Sequence, residues 1–313
     1  MDFVRRSNWT PRRWLSTSSK FDPSRPLVFM HIPKTSGTSL SSALVDLFNP
    51  PRIVIGLDRV LFGNYDDFSA IDESVRQQIY LSPGDLPDAE FVAGHMAYLT
   101  LKQRFAEAQF MTILREPCSR ILSNWLYWRG QSEEHLSPWG PWADRVRLAR
   151  MPLVSFLRMR SLAAHLDNLV IRMLLWPHPL VPSDNFIDPR HGRKLLAQAR
   201  HRLSGFDFLD VIENPAFPDQ LQRWLGRSLV LRQLNETPSV PEPLRSRLSQ
   251  ELTREAFELL TERSWLDLEL WADVTKRFIP ARELGRFQQW ILLRSVARFS
   301  SKLASDIPAP ASF

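Results

Sequence analysis

Short apolar runs bounded by prolines alternate along the chain with stretches whose apolar residues recur at helical spacing. Leu27 to Met30, between Pro26 and Pro33, reads as a buried strand. Leu40, Leu44, Leu47 and Phe48 then return every three or four positions, so the turn around Pro33 to Gly37 opens a helix that Pro50-Pro51 ends. Phe91 to Ala93 and Phe110 to Leu114 are two further buried strands. Glu116-Pro117 follows the second, with proline in the first turn of a helix that carries Ile121, Leu122, Trp125 and Leu126 on one face. Phe206, Phe208, Leu209, Val211 and Ile212 predict another strand. Such alternation predicts an α/β class and a three-layer, P-loop-like fold, with a largely parallel central sheet flanked by helices. Active sites of such sheets lie beyond the carboxyl ends of the strands, where the loops after Met30 and Leu114 both fall.

The remainder divides the chain. Residues 1–24 are polar, basic and proline-containing and read as a leader. Residues 25–280 form the predicted domain, with irregular insertions near 128–145 and 176–192, where Trp, Pro and Gly cluster. Residues 281–313 hold a basic amphipathic helix and tail. Between 287 and 303, Leu292, Val296, Phe299 and Leu303 share one face and Arg294, Arg298 and Lys302 another. That pattern suits either packing against the domain or contact with a membrane surface, which a lipid-linked substrate would explain.

Hydrophobic content of 44% and charged content of 24% are near globular averages, which excludes a disordered chain or a coiled coil. The net charge of +6 points to an anionic partner without choosing among nucleotide, sulfated sugar, nucleic acid and membrane. Lysine supplies only Lys20, Lys34, Lys102, Lys194, Lys276 and Lys302 of the 40 basic residues. The guanidinium excess suits phosphate and sulfate, and a base-composition bias would produce it equally. Cys118 is the single cysteine, so an internal disulfide is impossible and a reducing compartment is expected. No long apolar run is present, and Arg5, Arg6, Pro11, Arg12 and Arg13 interrupt the N-terminus, so neither a spanning helix nor a signal peptide is expected and the location is read as cytoplasmic. On that location, the glycosylation patterns at Asn8 and Asn235 are chance matches.

Two stretches carry candidate chemistry. His31-Ile32-Pro33-Lys34-Thr35-Ser36-Gly37-Thr38-Ser39-Leu40 joins a strand to a helix, where backbone N–H groups and the helix dipole favour an anion. Lys34 adds a charge, Thr35, Thr38 and Ser39 add hydroxyls, and Gly37 permits close approach of an oxygen. By itself the stretch is either a phosphate loop or an ordinary N-capped turn. It lacks the ATPase order, since Lys34 precedes the glycine. In the second stretch, Leu114 to Trp125, Arg115 ends a strand and Ser123 lies two helical turns on, near enough to hold one anion together.

Together these stretches resemble the nucleotide-binding motifs of sulfotransferases that use 3'-phosphoadenosine-5'-phosphosulfate (PAPS), in the branch of heparan sulfate and uronyl 2-O-sulfotransferases and their bacterial relatives. Gly94-His95-Met96-Ala97-Tyr98, Asp167-Asn168-Leu169-Val170-Ile171-Arg172 and Leu266-Asp267-Leu268-Glu269-Leu270-Trp271 extend the resemblance over residues 26 to 278. Trp271 stands where the family usually has Tyr. The resemblance implies transfer of a sulfuryl group from PAPS to a hydroxyl of a carbohydrate or glycolipid, with 3'-phosphoadenosine-5'-phosphate (PAP) as product. It implies that Thr35, Ser36, Gly37, Thr38 and Ser39 hold the 5'-phosphate and that Arg115 and Ser123 hold the 3'-phosphate. Lys34 would neutralise the leaving oxygen, and His95 would act as general base, for which an imidazole is suited near neutrality.

No metal and no nucleic-acid partner are expected. For the acceptor, the candidates are Tyr98, Trp128, His135, Asn168 and Arg172. Trp125, Trp139 and Trp142 would extend an aromatic platform, and Arg158, Arg160 and Arg172 would meet an acidic acceptor; the alternative is an aromatic core with solvated arginines. The rival functions are a P-loop kinase or NTPase, which would bind ATP with Mg²⁺, and a non-catalytic binder of polyanions with steep salt dependence.

Overall fold

The computed structural model describes residues 20–231 and 238–303. The leader up to residue 19, both glycosylation patterns and the tail from residue 304 lie outside the described residues. A sheet of six strands is parallel throughout, in the order β3-β2-β4-β1-β5-β6. Its strands are β1 (Leu27–Met30), β2 (Ile53–Asp58), β3 (Ile79–Tyr80), β4 (Phe91–His95), β5 (Gln109–Leu114) and β6 (Phe208–Val211).

The period of two along each strand builds the three layers. Val28, Met30, Val92, Phe110 and Leu114 face one core. Leu27, Phe29, Phe91, Ala93, Met111, Ile113 and Phe208 face the other. Helices α1 (Gly37–Phe48) and α5 (Phe217–Leu225) cover the second face through Leu40, Leu44, Leu221 and Trp224. The first face is covered by α2 (Tyr98–Arg104), α3 (Pro117–Arg129), α4 (Gly192–Leu203), α6 (Arg254–Thr275) and α7 (Leu284–Leu303), which belong to the larger core.

Two strands were not expected from the sequence. In β2, Ile53 and Ile55 are exposed while Val54 is buried; β3 is only two residues long. The segment 128–145 is more ordered than expected, since it contains the short helix Glu133–Leu136 and the start of the helix Trp142–Arg147, which packs beside α3. Helix α7 starts at Leu284 and packs along α3, with Ile291, Phe299 and Leu303 buried. The apolar face that the sequence offered to a membrane is therefore part of the core. No helix among the described residues is long and apolar enough to cross a membrane.

Candidate active site

The loop between β1 and α1 turns through two left-handed residues, Lys34 (φ 69°) and Ser36 (φ 64°), a conformation that non-glycine residues adopt only under constraint. Thr35 between them is buried, and its hydroxyl donates to the Ile32 carbonyl at 2.8 Å. That hydroxyl braces the loop, whereas the sequence had assigned it to a phosphate. Ser36 stands at the start of α1 with no side-chain cap, so the end of the helix dipole is left open toward the loop. Gly37 has a different reason for being glycine from the one expected: a Cβ there would lie 1.9 Å from the His31 ring. The imidazole of His31 packs into the space that a side chain at 37 would fill.

Helix α3 begins differently. Glu116 caps it, accepting from Ser119 N at 2.6 Å and Cys118 N at 3.3 Å, so its first N–H groups already have an anion. Positive potential here comes from side chains. Arg115, at the carboxyl end of β5, donates from Nη1 to the Lys34 carbonyl at 2.9 Å, which joins the two loops directly. Its charge lies near Glu213 and Glu116. Burial, then the charges of Arg115 and Arg298, lower the Lys34 pKa to about 7, and its Nζ sits 3.7 Å from the centre of the Tyr127 ring. Arg298 and Lys302 come from α7, which the sequence had not connected with this site.

His95 ends β4, the strand beside β1. Its Nδ1 lies 2.7 Å from the His31 carbonyl. A carbonyl only accepts, so Nδ1 carries the proton and Nε2 presents a lone pair. The His31 and His95 rings are 4.3 Å apart. Burial, with the nearby charge of Lys34, brings the His95 pKa down to about 4, against the pull of the His31 carbonyl. The turn after β4 is held by Asp58 at the end of β2, which accepts from Ala97 N at 2.7 Å.

Lys34 to Ser39, His95, Arg115, Ser123, Trp128 and His135 all line one cavity of about 1210 Å³ at the carboxyl edge of the sheet, joined there by Arg298 and Lys302. Tyr98, Asn168 and Arg172 do not line it. Tyr98 packs against Phe110 and Phe206 on the flank of the sheet. Arg172 is buried and paired with Asp167 at 2.6 Å. Asn168 inserts its side-chain oxygen at α6, accepting from Leu266 N at 2.8 Å, while Asp267 accepts from Val170 N at 2.9 Å. Two of the sequence motifs thus brace each other behind the site instead of meeting a ligand. Arg158 pairs with Glu255 on the surface, Arg160 is exposed outside the cavity, and Trp125 is core beneath Arg129. Trp139 and Trp142 do line the cavity. Trp271, in the position where Tyr was the usual residue, donates from Nε1 to Glu213 at 3.2 Å and so reaches the carboxylate beside Arg115.

A parallel α/β fold with an open helix start, a lysine, an arginine and a carbonyl-oriented imidazole around one cavity suits the binding of an anionic ligand. Residues 18–138 match the model of the sulfotransferase family, in its family 2 form, and this stretch runs from ahead of β1 through α3 to the Trp-rich segment. Residues 18–138 are thus similar to that family, and the all-parallel, helix-flanked sheet is consistent with its P-loop-like fold. No curated protein matches the chain.

Proposed function

We propose that the protein transfers a sulfuryl group from PAPS to a hydroxyl of a carbohydrate or glycolipid. The observation that carries this reading is the hydrogen bond from Arg115 to the Lys34 carbonyl, since it brings two cationic loops 81 positions apart to one cavity. The fit to a doubly phosphorylated nucleotide rests on an uncapped α1 at one side of that cavity and Arg115 with the buried Ser123 at the other. PAPS would supply an activated S–O bond, which breaks at the bridging oxygen as the acceptor oxygen forms its own bond to sulfur.

The chain's residues would serve each part of that exchange. The N–H groups of residues 36 to 39 and the start of α1 would hold the 5'-phosphate. Arg115 and Ser123, with Arg298 and Lys302, would hold the 3'-phosphate and so distinguish the donor from ATP. Lys34 would neutralise the oxygen that receives the electron pair. His95 would take the acceptor proton on Nε2; its low pKa keeps that nitrogen free, and an anionic donor beside it raises its basicity.

Calorimetry with PAP, ATP and ATP plus Mg²⁺ tests the reading. PAP is expected to bind at least tenfold more tightly than either ATP sample, and equal or tighter binding of ATP would replace a sulfotransferase with an NTPase. We place the protein in the cytoplasm on its single, buried Cys118.

A further inference from the structure

The cavity has two chemically distinct ends. Its cations, Lys34, Arg115, Arg298 and Lys302, gather around the α1 start and the β5 end. Past His95 the wall turns aromatic. Trp142 packs 4.9 Å from Phe62, and His165 packs 4.6 Å from Trp128 and 5.8 Å from Trp142, so these rings form one continuous surface, with Trp139 also on the wall. No Lys, Arg, Asp or Glu among the described residues lines this end.

The cations of the surrounding segment are held by protein partners, Arg145 with its guanidinium 5.2 Å from the centre of the Trp142 ring. Arg145 donates to the Phe62 and Ser161 carbonyls and to Asn64, Arg147 pairs with Glu133 and Asp144, and Arg150 pairs with Glu133. Two polar side chains in this wall have atoms without a partner in the structure: Nδ2 of Asn124 and Nε2 of His165, on residues 97% and 93% buried. A buried polar atom without a partner is rare and marks a place where a ligand group or ordered solvent completes the bonding. Burial, followed by the charge of Arg120, lowers the His165 pKa to about 3, so this imidazole is neutral near pH 7 and supplies no cation.

Given the donor reading above, on which this step rests, we propose that the acceptor is a neutral sugar residue, seated against Trp128, Trp139 and Trp142, with its hydroxyls read by Asn124 and His165. Indole faces match the C–H faces of a sugar ring, and a neutral ring gives up no ionic hydration on entry. A uronate or a sulfated ring would bring a charge into a wall with no opposite charge to receive it. The acceptor thus differs from the acidic one that Arg158, Arg160 and Arg172 had suggested from the sequence.

The test uses the full chain loaded with PAP, titrated with cellotetraose, maltotetraose and a non-sulfated glucuronate-containing tetrasaccharide, with binding followed by tryptophan fluorescence and calorimetry. At least one neutral tetrasaccharide is expected to bind tenfold or more tightly than the uronate. Failure of both neutral sugars to bind, or equal or tighter binding of the uronate, overturns the proposal. A protein that does not bind PAP in the first titration loses the donor reading itself, a separate result. Trp139→Arg, at a partly buried wall position, should narrow the neutral-to-uronate ratio while PAP affinity stays within a few-fold; an unchanged ratio would mean that the acceptor sits elsewhere.

Discussion

At the scale of single residues, burial lowers the pKa of both groups to which the proposed reaction assigns chemistry, His95 and Lys34. His95 is held near 4 by burial and by Lys34, so it is neutral across the physiological range, and the His31 carbonyl fixes which nitrogen is free. His95→Ala is expected to lower kcat by ~10²–10⁴, the usual worth of a general base, with PAP affinity within a few-fold of the parent. Calorimetry beside a radiolabelled transfer assay separates the two, and a parallel loss of binding would make His95 a structural residue. Lys34 titrates near 7, so the free protein has a protonated lysine below that pH and a neutral one above it. PAP affinity should therefore fall as pH rises through about 7, by up to tenfold per pH unit. Lys34→Arg, whose charge persists, should flatten that dependence. A wild-type affinity that is level from pH 6 to 9 would show that the lysine is charged throughout.

At the scale of elements, legibility followed how strongly each segment's own residues dictate its state. The sequence located β1 and both cationic loops because prolines and a short apolar run bound them. It missed β2, although Ile53-Val54-Ile55 is a β-branched run, because only part of it is buried and the helix-ending Pro50-Pro51 stands immediately before. Two-residue β3 has no periodicity to read. Residues that line the cavity were legible as residue types in order, whereas the interlock of Asn168 and Asp267 was not, since it joins motifs about a hundred positions apart. Helix α7 is the clearest case: its stripe of Val296, Phe299 and Leu303 was visible, but only the packed structure turns Arg298 and Lys302 into the cavity. Arg298→Ala should weaken PAP about three- to tenfold, a modest change because this side chain is exposed and screened. The same substitution should leave the melting temperature unchanged. PAP binding equal to the parent would remove α7 from the donor site.

At the scale of the whole molecule, Glu213 ties the carboxyl ends of β5 and β6 to α6, accepting from Glu116 N at 2.8 Å and Trp271 Nε1 at 3.2 Å. Burial raises its pKa to about 7, and burial likewise raises that of Asp267, which caps the helix Leu169–Leu175, to about 6. A carboxyl that holds its proton more tightly when folded makes the folded state bind more protons between the unfolded and folded values. Stability from Glu213 is therefore present below about 4.5 and is lost as pH rises through about 7. The buried imidazoles of His95 and His165, with folded values near 4 and 3, act in the opposite sense below about 6.5, so the overall pH profile mixes the two. A difference between variants isolates one group. Glu213→Gln keeps one acceptor but turns an N–H₂ toward either Glu116 N or the Trp271 indole, so it should melt below the parent at pH 4.5. That gap should close as pH rises to 8, because only the parent then carries a buried charge. Thermal melts of both proteins at half-unit pH steps measure it directly, and a gap that stays constant from pH 4.5 to 8 would mean that Glu213 titrates as an ordinary carboxylate, with the same pKa folded and unfolded.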